Sequence, residues 1–351
     1  MKRNLCPALV AACLFPFAAQ GALAPSEPAT TGHPYKVVNS AKVGGEGAFD
    51  YVYADVSTRR LYIPRGNRVT VFDLDTLKPA GEIPDCNGAR GVAVDPKSHH
   101  GFSSSKPVVM WNTETLATIK TIDVEGKPDG MFFDPTTHHV FVLSHETPNA
   151  TVIESSDGAI VGTIDLGGEP EQAVSDGQGR IYINLENKAS LAVVDANTLK
   201  VIAHYDFSAI GKTPTGLALD VKNHILFACC RAPATCVILN ADDGKIITHL
   251  PIGAGCDGAV FNPATMEAFS SQRDGTLTVI KEFSPTRFEV AQNVQTKAGA
   301  KTCTLDTKTN QIISITADRT APPPAVPGES APRPGRGQII PDTFTILVVG
   351  E

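Results

Sequence analysis

Gly130-Met131-Phe132-Phe133-Asp134-Pro135 decides the fold, because the chain writes that phrase seven times. Close copies are Gly91-Val92-Ala93-Val94-Asp95-Pro96 and Gly258-Ala259-Val260-Phe261-Asn262-Pro263. Looser ones are Asp50-Tyr51-Val52-Tyr53-Ala54-Asp55, Gln172-Ala173-Val174-Ser175-Asp176, Gly216-Leu217-Ala218-Leu219-Asp220 and Thr302-Cys303-Thr304-Leu305-Asp306. Successive copies stand 39 to 44 residues apart, and each is followed by a short apolar run such as Leu61-Tyr62-Ile63 or Ile181-Tyr182-Ile183. Short strands joined by turns, repeated at this period, predict an all-β chain: a seven-bladed β-propeller of four-stranded blades.

The fourth copy gives the strand order within a blade. Gln172 to Ser175 reads as inner strand A, Ile181 to Asn184 as B, Leu191 to Asp195 as C and Val201 to Tyr205 as outer strand D. Strand A is small and apolar, as a crowded centre requires. Strand C is expected to alternate, with one face packed on the neighbouring blade. The last repeat has three strands, near 302–305, 311–316 and 343–349. Tyr35 to Val43 is a spare strand ahead of the first repeat, and it is expected to close the ring as strand D of the last blade. Closure in this way removes sheet edges that would otherwise invite aggregation.

One propeller, 35–351, absorbs most of the 351 residues as a single domain. Residues 1–24 read as a secretory signal peptide: Lys2 and Arg3, an apolar run from Leu5 to Ala19, then small residues with cleavage near 21–24. Residues 25–34 form a linker. The chain is therefore expected to be periplasmic or secreted, with no transmembrane segment, and monomeric. Val10-Ala11-Ala12-Cys13 also matches a lipoprotein box, though it would cut the apolar run in half. Loss of Lys2 and Arg3 takes the formal charge from −7 to −9, which lacks the basic field that nucleic acid usually requires. Residues 320–341 insert a Pro/Gly-rich loop into the last blade, either a surface insertion or a flap over the channel.

Of the eight cysteines, six lie beyond the leader, without the C-x-x-C pairing of a structural zinc site. Cys230 and Cys236 flank a tight hairpin where a disulfide is one option, buried thiols the other. His99-His100, His138-His139 and His224 fall in A-to-B turns, where turn packing explains them better than a metal. Trp111 falls in strand C of the second blade, as core.

In a propeller the D-to-A and B-to-C loops open on one face around the channel mouth, where seven loops converge. That face is expected to carry Arg65, Arg68, Arg90, Lys106, Asp129, His145, Glu171, Lys188, Arg231, Asp257, Arg273, Lys301 and Arg319. The pattern suggests an acidic inner ring inside a more basic outer one, suited to a polar or anionic partner. Asp129, His145, Glu171 and Asp257 could together hold a divalent metal, although Arg90, Thr215 and Lys301 interrupt the ring. No motif of catalysis is present, so no catalytic residue is assigned.

Ile181-Tyr182-Ile183-Asn184, Leu191-Ala192-Val193-Val194-Asp195 and Thr198-Leu199-Lys200 resemble the YVTN-repeat (YncE-like) family of seven-bladed propellers. Leu61-Tyr62-Ile63-Pro64 with Val69-Thr70-Val71-Phe72-Asp73 is similar. The second, fifth and sixth blades depart from the box, with Gly101-Phe102-Ser103-Ser104, Leu226-Phe227-Ala228-Cys229 and Ala268-Phe269-Ser270-Ser271. The resemblance implies fold over about 35–351 and carries no catalytic motif. The expectation is a non-catalytic scaffold binding a protein or small polar ligand at the channel mouth. The alternatives are a metal-dependent hydrolase or lyase there, and single-stranded DNA binding, which the family implies and the charge does not favour.

Overall fold

The computed structural model describes Met1, residues 34–321 and residues 337–351. The leader and most of the linker, including the lipoprotein box, lie outside the described residues, as does 322–336 of the inserted loop. Among the described residues no helix is long and apolar enough to cross a membrane.

Seven four-stranded antiparallel sheets follow one another along the chain. Their inner strands are Tyr53–Asp55, Val92–Asp95, Pro128–Asp134, Pro170–Ser175, Lys212–Asp220, Cys256–Asn262 and Lys301–Asp306. The fourth blade runs Pro170–Ser175, Arg180–Leu185, Ser190–Asp195 and Lys200–Asp206, matching the expected order with ends one or two residues longer. The last blade is closed as expected. Lys36–Lys42 pairs antiparallel with Thr345–Gly350, which continues through Gln311–Thr316 to Lys301–Asp306.

Burial corrects two details. Strand C does not alternate between buried and exposed: Leu191 to Val194 are all buried. Leu191 and Val193 pack toward the fifth blade, while Ala192 and Val194 pack toward the third. A blade wedged between two others buries both faces, so its middle strands are apolar throughout. Inner strand A is the opposite case, because it lines the channel: Gln172 to Ser175 are only half-buried.

The repeat's Asp or Asn has one task in every blade. Asp55, Asp95, Asp134, Asp176, Asp220, Asn262 and Asp306 each accept a hydrogen bond, 2.7–3.1 Å long, from a backbone N–H two or three residues on. This Asx turn fixes the A-to-B reversal. The reversal then needs a left-handed residue, and Arg59, His99, His138, His224, Met266 and Asn310 all take φ between 53° and 59° there. Asparagine and histidine tolerate that region better than most residues. The histidines are therefore turn residues on the face opposite the mouth.

Departures from the repeat box have packing reasons. Asn184, the box asparagine of the fourth blade, donates through Nδ2 to the Gly216 carbonyl of the next blade at 2.9 Å. Gly101 stands opposite Trp111 in the second blade, and a Cβ there would sit 2.3 Å from the indole. The glycine makes room for Trp111, which is fully buried as core.

Of the two options for Cys230 and Cys236, the structure has the buried thiols and not the disulfide. Cys230 pairs with Thr235, and Cys236 faces Cys229. Neighbours along a strand point to opposite sides of the sheet, so Cys230 packs toward the fourth blade and Cys236 toward the sixth. The six cysteines of the described residues are buried free thiols.

Candidate functional site

The inner strands begin irregularly. In blades three to six the A–B ladder gains one extra residue on strand A, between Pro128 and Met131, Pro170 and Ala173, Pro214 and Gly216, and Cys256 and Gly258. A bulge of this kind re-aims a side chain that ladder geometry would hold against the neighbouring blade. Asp129, Glu171, Thr215 and Asp257 fall within those intervals. In the seventh blade the slip lies between Lys301 and Cys303.

These positions and the B-to-C loops surround one cavity of about 420 Å³ at the channel mouth. Asp50, Arg90, Asp129, Glu171, Asp257 and Lys301 supply its inner wall, with His145, Glu186, Arg231 and Arg273 above them and Lys127 at the side. The expected acidic inner ring within a basic outer one is corrected: five acids and five bases share the wall, and both rings are mixed. Burial of so many charges is tolerable only because they are paired.

Pairing divides the cavity into two corners. At one, Asp257 is gripped by three cations. It accepts from Arg231, from Arg273 at 2.5 Å, and lies 3.4 Å from the Lys301 ammonium. Burial would raise this carboxyl, but Lys301, Arg273 and Arg231 hold it down to about 2. Arg231 also donates to Glu186 at 3.0 Å and to the Cys256 carbonyl at 2.8 Å. Burial would lower Arg231, yet Asp257, Glu171 and Glu186 raise it. Asp257 is thereby a structural counter-ion and leaves the expected metal set.

At the other corner Asp129, His145 and Glu171 converge, with one ligand-type atom from each within 4.8 Å of the others. Glu171 accepts at Oε2 from the hydroxyl of half-buried Tyr51 at 2.7 Å, and Asp129 faces Arg90 through Oδ1 at 3.1 Å. Burial and the neighbouring Asp129 raise Glu171 well above the usual carboxylate range; burial and Asp50 raise Asp129. Desolvation and the neighbouring Glu171 push Tyr51 up as well, and it stays a hydrogen-bond donor. Arg90, nearly half exposed, is shared with Asp50 at 3.4 Å, and Lys301 reaches Asp50 at 2.6 Å.

Of the thirteen expected face residues, Arg90, Asp129, His145, Glu171, Arg231, Asp257, Arg273 and Lys301 meet in this cavity. Lys106 lines a shallower neighbouring hollow and donates to the Gly126 carbonyl. Arg65 is corrected from contact to scaffold. It is buried, stacks over Phe344 at 3.9 Å and donates to the Gly44 and Gly45 carbonyls. Its burial, with Arg68 nearby, lowers it to about 10. Arg68 donates to the Glu46 carbonyl and pairs loosely with Glu82. Arg319 donates to the Gly337 carbonyl at the base of the inserted loop, and Lys188 packs beside Gly168. None of these four lines the cavity. Lys127, Glu186 and Tyr51 were missed. Glu186 stands two residues after the repeat box, at the register of Arg231 and Arg273, so the repeat alignment was the signal for it.

No family model matches the chain, and no curated protein matches it. Among solved structures it is similar to the "Structure of U3-55K" and to the "Crystal structure of RRP9 WD40 repeats". Each gives a TM-score of 0.70 at 8% identity over 90% of this chain, covering 99% and 98% of the other chain respectively. At that identity the likeness carries fold alone, and it agrees with the seven sheets: the chain is a seven-bladed β-propeller.

Proposed function

We propose that the chain is an exported YVTN-type propeller that acts as a non-catalytic binding scaffold, taking a small polar ligand with an anionic group at the channel mouth. One observation supports this reading: the concavity of about 420 Å³ is walled by charged side chains contributed by all seven blades. Fixed, desolvated charges bind a polar ligand without the ordering cost that flexible loops impose. Arg90 and Arg273 are the cations we assign to the anionic group, since Arg231 is engaged on three sides. The family assignment is supported by the box residues, among them Asn184 tying two blades together. Export is supported by the layout of residues 1–24.

Native mass spectrometry of the protein isolated from its own envelope fraction is the test. We expect a chain starting near residue 22, with a small-molecule mass increment that is lost in an Arg90→Ala, Arg273→Ala double variant. A chain that keeps Met1 would remove the export reading. A bare mass, with no small anion raising the melting temperature, would remove the ligand reading.

A further inference from the structure

Asp129, His145 and Glu171 come from three separate places: the strand A bulges of blades three and four, and the loop between His139–Ser144 and Ala150–Glu154. The His145 Nε2 atom lies 3.5 Å from Asp129 Oδ2 and 3.8 Å from Glu171 Oε1. Those separations exceed hydrogen-bond length. Nε2 is buried and has no hydrogen-bond partner among the described residues, a costly state for a polar ring atom. The distances instead fit the edges of a coordination shell. Ligands about 2.0–2.1 Å from a tetrahedral ion lie about 3.3–3.4 Å from one another, so a contraction of a few tenths of an ångström brings both carboxylate oxygens to that spacing from Nε2.

The other oxygens of the two carboxylates are already engaged. Tyr51 holds Glu171 by Oε2, and Arg90 faces Asp129 at Oδ1. Each carboxylate therefore turns one oxygen to a fixed partner and the other toward Nε2. Partners of this sort orient metal ligands and tune them. We propose that Asp129, His145 and Glu171 bind one divalent transition-metal ion of the zinc class, with its remaining coordination position open to the cavity. Calcium and magnesium select oxygen ligands, whereas an imidazole with two carboxylates suits zinc and its neighbours. Asp257 takes no part, being enclosed by Arg231, Arg273 and Lys301. The site goes beyond the scaffold reading and stands or falls separately from it.

The test is zinc titration of the chelator-stripped full chain, followed by calorimetry, native mass spectrometry and thermal melting. One equivalent of Zn²⁺ and a raised melting temperature are expected, with no comparable rise from Ca²⁺. His145→Ala, at a partly exposed position and so tolerant of change, is expected to weaken binding at least about 10-fold; Tyr51→Phe should keep the stoichiometry and weaken affinity about 10–100-fold. His138→Asn, on the opposite face, should leave binding unchanged. The proposal is overturned if the wild type takes up no stoichiometric zinc, if His145→Ala binds it undiminished, or if Ca²⁺ binds as tightly.

Discussion

The two ends of strand A make an instructive contrast. At its far end every blade places Asp, or Asn262, and that residue always caps the same turn. At its near end the equivalent residues are Asp50, Arg90, Asp129, Glu171, Thr215, Asp257 and Lys301: three chemistries in one ring. A fold repeated seven times imposes the same local requirement seven times, which explains the constant end. At the variable end every residue but Thr215 lines a shared cavity, where side chains answer to one another across blades rather than to their own turn. Repetition marks what builds the ring, and divergence marks the end that faces the cavity.

Closure is the condition on which the contrast rests, and removing it gives the largest effect. Deleting residues 343–351 takes away the strand that joins Lys36–Lys42 to the last blade. Two sheet edges are then exposed, and cooperative unfolding should be lost in a thermal melt. A truncated chain keeping the wild-type melting temperature would refute the closure.

Asp257 sharpens the contrast, since it lies at the variable end yet carries structural weight. Asp257→Ala removes the buried carboxylate that three cations share, leaving Arg273 without its acidic partner, and should cost about 3 kcal/mol by denaturant unfolding. The pH dependence follows from the depressed carboxyl. Its folded value of about 2 lies below the ordinary 3.8, so its stabilisation is present above pH 4 and is lost as pH falls toward 2. The wild type should therefore shed about 2 kcal/mol over that window that Asp257→Asn does not, and parallel curves for the two proteins would count against the three-cation grip.

At the constant end, Asp134 accepts from the Thr137 N–H and hydroxyl and from Ser175 of the next blade. Asp134→Ala should cost about 2 kcal/mol, since it removes charge-assisted bonds at a buried turn. Arg90→Ala at the variable end should change stability by less than about 1 kcal/mol, because Arg90 is nearly half exposed and water screens its pairs. If Arg90→Ala proved the costlier of the two, the division of labour between the ends would be wrong. The smallest effect belongs to His138→Asn, which keeps a residue tolerant of the left-handed turn and should stay within about 0.5 kcal/mol.

The seven blades, their strand order and the N-terminal closing strand were legible in the sequence, because period-2 strands and turn residues are local signals repeated at a fixed interval. The mouth was legible as a list, since D-to-A and B-to-C positions can be counted from the repeat. What the list could not give was pairing. Arg65 and Arg273 occupy related loops, yet Phe344 and the Gly44–Gly45 carbonyls claim the first, and Asp257 claims the second. Cys230 and Cys236 look bridgeable until the register sends them to opposite faces of the sheet. Asp129, His145 and Glu171 are drawn together while Asp257 is taken away, because bulges of one residue turn the carboxylates and neighbouring cations compete for them. Sequence by itself determined the architecture through local, repeated hydrogen-bond and burial patterns. Only the tertiary structure decided which charge meets which, because that depends on ångström-scale distances between blades that no local pattern encodes.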